Sequence, residues 1–135
     1  MPKKSIQCSI GVTVDSVPTV STVSPFLVDA IDMLAFDVPA RSDGKDGDVT
    51  TDVQPSAPAS VKVIVIESTL YHATDLTCQQ TADESKVIKM DGPQIFIGSD
   101  VVELLGSDPT KLRFINKTPQ PATISIFVGR DGVKP

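Results

Sequence analysis

Ile6, Cys8, Ile10, Val12 and Val14 alternate with Gln7, Ser9, Gly11 and Thr13. A period of two is the mark of a strand with one buried face. Ser16 to Val23 is rich in Ser, Thr and Val and carries Pro18, which suits an extended connection or an edge strand, where a missing N–H does least harm. Ser24-Pro25 then supplies a cap and a proline for the first helical position, and Phe26, Leu27, Ala30, Ile31 and Leu34 follow at helix-like spacing. The spacing predicts one short helix over residues 25–36, with Asp29 and Asp32 toward solvent. Val38-Pro39 ends it, because a residue before proline avoids the α region.

From Val38 to Ser60 there is no Leu, Ile, Met or aromatic residue, and Gly, Pro, Ser, Thr and Asp dominate. Such a stretch buries too little apolar surface to offset its ordering entropy, so residues 38–60 are expected to form a flexible acidic linker. Order restarts at Val61 to Leu70, where Val61, Val63 and Val65 fall on one face and Ile64 and Ile66 on the other, as in a central strand buried on both sides. Thr74 to Ser85 is polar apart from Leu76 and Cys78 and reads as a long exposed loop. Short strands follow at Lys86 to Met90, Gln94 to Gly98, Val101 to Leu105, Lys111 to Asn116 and Thr123 to Gly129. The fold expected is mainly β: an antiparallel β-sandwich or small barrel with one short N-terminal helix and a flexible linker. Three segments result: a strand and helix over 1–37, the linker over 38–60, and a sandwich-like domain over 61–135.

Charge narrows the partners. The net charge is -5, and residues 1–60 carry four Lys/Arg against eight acids, while residues 61–135 carry eight against nine. An acidic chain with no basic patch interleaved with aromatics disfavours nucleic acid. No run approaches the roughly 18 apolar residues of a membrane helix, and the alternation after Lys3-Lys4 is unlike a secretion signal, so a soluble chain is expected. Cys8 and Cys78 are far apart and lack a CxxC pair, which favours buried free thiols over a zinc site, with a long-range bridge as the alternative.

Little here resembles catalytic chemistry. His72 is the sole histidine, and Ser68 and Thr69 near it lie in no nucleophile elbow, so a strand-end histidine is the better reading than a general base. Asp43-Gly44-Lys45-Asp46-Gly47-Asp48 suggests a calcium loop, but its acids fall at the first, fourth and sixth places, with Gln54 at the twelfth. Glu67 and Glu103 are the candidates for paired carboxylates, without the aromatic platforms of a sugar site. Asn116-Lys117-Thr118 is a formal glycosylation sequon. No phosphate-cradling glycine loop and no metal-ligand spacing is present, so no cofactor is expected. One internal echo remains: Ile95-Phe96-Ile97-Gly98-Ser99-Asp100 and Ile126-Phe127-Val128-Gly129-Arg130-Asp131 share I-F-[I/V]-G-x-D, 31 residues apart. Two strands ending in similar turns account for it, with Gly releasing the chain and Asp stabilising the turn.

Lys111 to Thr118, Pro119 to Pro121 and Ala122 to Gly129, together with the Ile95 to Asp100 strand end, resemble a strand–turn–strand unit of small head- or tail-associated proteins of tailed bacteriophages. The likeness covers residues 90–132. It implies a non-enzymatic virion structural protein of decoration, cement or head-fibre type. Such a protein binds a capsid or other virion protein lattice, often as a homo-oligomer, and contacts neither nucleic acid nor membrane. Phe26, Leu27, Ile31 and Leu34 are the candidate partner contacts. The alternative is a soluble ligand- or glycan-binding β module whose loops after Gly98 and Gly129, with Asp100 and Asp131, hold the ligand.

Overall fold

The computed structural model describes residues 4–14, 17–28, 30–53, 61–80, 87–98 and 111–130. They form ten strands: β1 (Lys4–Val14), β2 (Val17–Val28), β3 (Ala30–Val38), β4 (Gly47–Asp52), β5 (Val61–Ser68), β6 (Leu76–Gln80), β7 (Val87–Lys89), β8 (Gln94–Ile97), β9 (Lys111–Asn116) and β10 (Ala122–Arg130). β1 and β2 form a two-stranded hairpin; the other eight form two four-stranded sheets, ordered β3-β10-β5-β8 and β4-β9-β6-β7. All pairings are antiparallel. From β3 onward the chain crosses from one sheet to the other at every step but β6 to β7, and each sheet interleaves early with late strands. That order is the topology of an eight-stranded jelly roll.

The inner faces meet in one apolar core. The first sheet contributes Val38, Ile64, Ile66, Phe96, Ile124, Ile126 and Val128; the second contributes Leu76, Cys78, Leu112 and Phe114. Phe36 and Phe114 meet edge to face across the sheets, with ring centroids 5.5 Å apart, a favoured aromatic geometry. Each strand reaches the core with alternate residues, so Leu112, Phe114 and Asn116 point in while Lys111, Arg113 and Ile115 point out.

Three expectations are corrected. The predicted helix over residues 25–36 does not form: Val17–Val28 is β2 and Ala30–Val38 is β3. The same residues also carry a period of two, with Leu34 and Phe36 packed on the core beside Val38. Pairing with β10 along all nine residues of β3 decides between the two periods. Asp32, expected at a helix surface, accepts a hydrogen bond from Arg130 Nε at 2.9 Å. The expected linker is also not one continuous flexible segment. Within it Ser42 and Lys45 exchange two backbone hydrogen bonds of 2.9 Å around Asp43 (φ 53) and Gly44 (φ 75), the type I′ turn that Asp-Gly favours. β4 then pairs with β9 over Gly47–Asp52, and Val53 is fully buried. β3 and β4 are thus part of the sandwich, whose boundary does not lie at Val61. Lastly, Leu76–Gln80, expected within an exposed loop, is β6, with Leu76, Cys78 and Gln80 fully buried. The strand expected at residues 101–105 lies outside the described residues.

Candidate functional site

The two outer faces of the sandwich differ in chemistry. On the second sheet, Asp48, Thr50 and Asp52 from β4 stand opposite Ile115, Arg113 and Lys111 from β9. Arg113 grips Asp48 with two hydrogen bonds, Nε to Oδ1 at 3.0 Å and a terminal nitrogen to Oδ2 at 2.6 Å. That hydrogen bonding, with the Arg113 charge beside it, holds the Asp48 carboxyl below the usual carboxylate range, against the opposing effect of burial. Lys111 lies 3.8 Å from Asp52. Cross-strand ion pairs mark this face, on which Val87 also stands 49% exposed opposite Gln79.

The outer face of the first sheet is apolar. One row crosses all four strands: Met33 opposite Phe127, Phe127 opposite Val65, and Val65 opposite Ile95. The next row runs Ile31, Gly129, Val63 and Ile97. Val63 is fully buried under Ile31, Val65, Ile97 and Phe127, whereas Met33 is 79% and Ile95 46% exposed. Toward the other end the small residues Ala35 and Ser125 floor a groove of about 380 Å³ walled by Met33, Phe127, Val65 and Glu67. Polar side chains close that end, where Thr123 Oγ1 donates to Asp37 Oδ1 at 2.8 Å. The face therefore runs from apolar at Ile31, Val63 and Ile97 to acidic at Glu67 and Asp37.

The residues singled out in the sequence disperse. Of the four candidate contacts, Ile31 lies on this apolar outer face and Leu34 points the other way, into the core. Phe26 and Leu27 lie in β2. Ile31 and Leu34 therefore do not share one face, and substituting Leu34 would test folding, not binding. Asp100 and Asp131 lie outside the described residues, as does Glu103. Glu67 stands on the outer face without a described carboxylate opposite it.

The two echo strands flank β5, on opposite sides and one residue out of step: Phe96 faces Ile64, whereas Phe127 faces Val65. Phe96 is therefore in the core and Phe127 on the outer face. Gly98 (φ 96) ends β8, donating its N–H to the Lys62 carbonyl at 2.8 Å. Gly129 instead stays inside β10, between Val63 and Ile31, beside a register shift at Arg130. Only the first copy turns at its glycine, a correction to the expectation of matched turns.

His72 occupies an exposed turn. Its Nδ1 accepts the backbone N–H groups of Asp75 at 3.1 Å and Thr74 at 3.3 Å, so the lone pair a general base would use is committed to the turn. Asp75 Oδ2 lies 3.8 Å from the same nitrogen. Ser68 Oγ accepts from the Leu70 N–H and Thr69 Oγ1 from the Thr123 N–H, and neither hydroxyl bonds His72. Among the described residues, no three His, Cys, Asp or Glu gather as a metal-ligand group. Asn116 of the sequon is fully buried, and its side-chain nitrogen donates to the Gln120 carbonyl at 2.8 Å.

The chain matches no family model, no curated protein and no solved structure. The functional reading accordingly rests on the contrast between the two outer faces. Sequence spacing alone does not mark Met33, Val65, Ile95 and Phe127 as one row. Their signal was present in Val61 to Ser68, whose apolar residues on both faces call for two covers; the second sheet supplies one.

Proposed function

We propose that this chain is a non-enzymatic virion structural protein that works within a protein assembly, binding a capsid or tail lattice as a homo-oligomer. The observation that carries the reading is the apolar row Met33, Phe127, Val65 and Ile95 on one outer face, set against the ion-paired outer face of the other sheet. Monomeric soluble domains rarely leave contiguous apolar surface open, and such faces mark interaction sites. The resemblance of residues 90–132 to phage head and tail proteins points to the setting. The jelly-roll strand order agrees with it as an analogy of fold, since viral capsid domains are among the uses of that topology.

A loop-based ligand module draws support from one observation. β8 and β10 run the same way on either side of β5, so Ile97 and Gly129 flank Val63 and the chain leaves both strands at one end of the sheet. No aromatic platform accompanies that end among the described residues, and Tyr71, the sole tyrosine, uses its hydroxyl to accept the Ser68 N–H at 3.0 Å. The structural reading is therefore preferred. Its test is the mass of the purified full chain by light scattering, alone and mixed with capsid or tail proteins from the same source. A stable oligomer that joins a co-assembly is expected. A monomer that joins none overturns the reading.

A further inference from the structure

We infer that two copies of the chain join edge to edge through β3, so that their four-stranded first sheets run on as one sheet across a twofold axis. The inference rests on the reading of the chain as a homo-oligomer and names a contact within it; it uses the rim of the first sheet, not its apolar outer face.

The hydrogen bonding fixes which backbone groups β3 leaves open. The Thr69 N–H donates to the Thr123 carbonyl at 3.1 Å and the Thr123 N–H donates to Thr69 Oγ1 at 3.0 Å, so the main-chain groups of Thr123 turn toward β5. Direction alternates along a strand. Ile124, Ile126 and Val128 therefore turn toward β3, where they stand opposite Phe36, Leu34 and Asp32. The residues between these, Ile31, Met33, Ala35 and Asp37, aim both N–H and C=O at the open side of β3, which among the described residues pairs with β10 alone.

That edge lacks the usual protection. The four edge strands of the two sheets are β3, β8, β4 and β7. β7, β8 and β4 have three, four and six residues, whereas β3 has nine, with no proline and no bulge in its register with β10. Short strands, prolines and bulges are what keep an edge from pairing. The two acids of β3 are held from the β10 side, Asp32 by Arg130 Nε at 2.9 Å and Asp37 by the Thr123 hydroxyl at 2.8 Å.

Self-complementarity names the occupant as a second copy. An antiparallel β3 centred on Leu34 sets Ile31 opposite Asp37 of the second copy and Met33 opposite its Ala35, and the same two pairs recur beyond the axis. All four open residues are then used, each pair exchanging two hydrogen bonds. No other symmetric register uses them all. On the outer face the long Met33 lies beside a small Ala35. On the inner face Leu34 meets its own counterpart in a close, non-hydrogen-bonded pair. Leu34 and Phe36 pack on the core yet stay partly exposed, and the added strand covers them. Asp32 stands opposite Phe36 and Asp37 opposite Ile31, so no acid faces an acid. The same operation on β4, centred on Thr50, would set Asp48 against Asp52 of the second copy, like charge against like.

The test uses the full chain in a Cys8→Ser background, with Cys78 left in place because it is buried. One preparation carries Met33→Cys and another Ala35→Cys. Directly opposed Cα atoms about 5.5 Å apart suit a disulfide. Mild oxidation of the mixture should therefore give a covalent dimer holding one chain of each kind, and either preparation alone should give far less. In parallel, Ala35→Pro removes one outward N–H and none that β10 uses. It should halve the light-scattering mass, to 14.3 kDa where the native chain is a dimer, with circular dichroism checking that the sandwich stays folded. Ile95→Asp, on the far edge strand β8, alters the apolar outer face and leaves the β3 edge intact. An oligomer whose mass Ala35→Pro leaves unchanged and Ile95→Asp lowers overturns the edge pairing and keeps the apolar face as the interface. Cross-linking no better in the mixture than in either preparation alone overturns the register and the inference with it. A native chain that is monomeric overturns the edge pairing, and one that also joins no assembly overturns the reading beneath it.

Discussion

Asn116 holds the turn between β9 and β10, and its replacement by Asp should give a protein whose stability depends on pH in a direction fixed by the hydrogen bonding. The side-chain oxygen accepts the Thr118 N–H at 2.9 Å and the Thr118 hydroxyl at 2.7 Å, and the nitrogen donates to the Gln120 carbonyl at 2.8 Å. Asn116→Ala strands the Thr118 N–H in a buried setting, which costs about 1–3 kcal/mol, with lost packing besides. A loss near 3 kcal/mol lowers Tm by about 10 °C in a chain of this size. Asn116→Asp keeps the oxygen acceptor but sets a second oxygen against the Gln120 carbonyl. The protonated acid can donate there as the amide does; the carboxylate cannot, and is buried as well. The folded state therefore prefers the acid and raises the variant's pKa above its unfolded value of about 3.9. The extra stability of the protonated form is fully present below that value and is lost as pH rises through the folded pKa. Melting curves at about pH 4 and pH 7 for the native chain and both variants should show Asp within about 1 kcal/mol of native in acid and about 3 kcal/mol worse at neutrality, with Ala about equally impaired at both. A gap for Asp that does not change with pH, or an Ala variant that melts with the native chain, would refute this account of the turn.

Gly47→Ala should cost about 2–3 kcal/mol, because the new methyl would overlap the Pro39 carbonyl oxygen and lie 2.7 Å from its carbon; equal urea midpoints for the two chains would contradict that close approach. Arg113→Gln should remove a contribution of Asp48 that is present at neutral pH and lost as pH falls through its lowered folded pKa. Because both side chains are over a third exposed, the effect should stay below about 1 kcal/mol, read as a native–variant difference in urea midpoint that shrinks in acid. Burial pushes the Cys78 thiol up to about 12, so a Cys8→Ser chain should resist a thiol-specific disulfide reagent until denatured; reaction of the native chain at the denatured rate would place Cys78 at the surface.

The sequence was most legible where period two ran without competition. Lys111 to Asn116 was expected as a strand and is β9 to the residue, and Thr123 to Gly129 lies within β10. It misled where one stretch satisfies two periods: Phe26 to Leu34 suits a helix when read alone, and the long pairing with β10 that makes Ala30–Val38 a strand lies about ninety residues away in the chain. Residues 47–52 misled for a different reason. β4 needs few apolar side chains, since Val49 packs from an edge strand, and Asp43-Gly44 was weighed as a metal loop when its chemistry was that of a tight turn. The apolar face was hidden because rows across a sheet depend on register. Nothing local brings Met33, Val65, Ile95 and Phe127 into line.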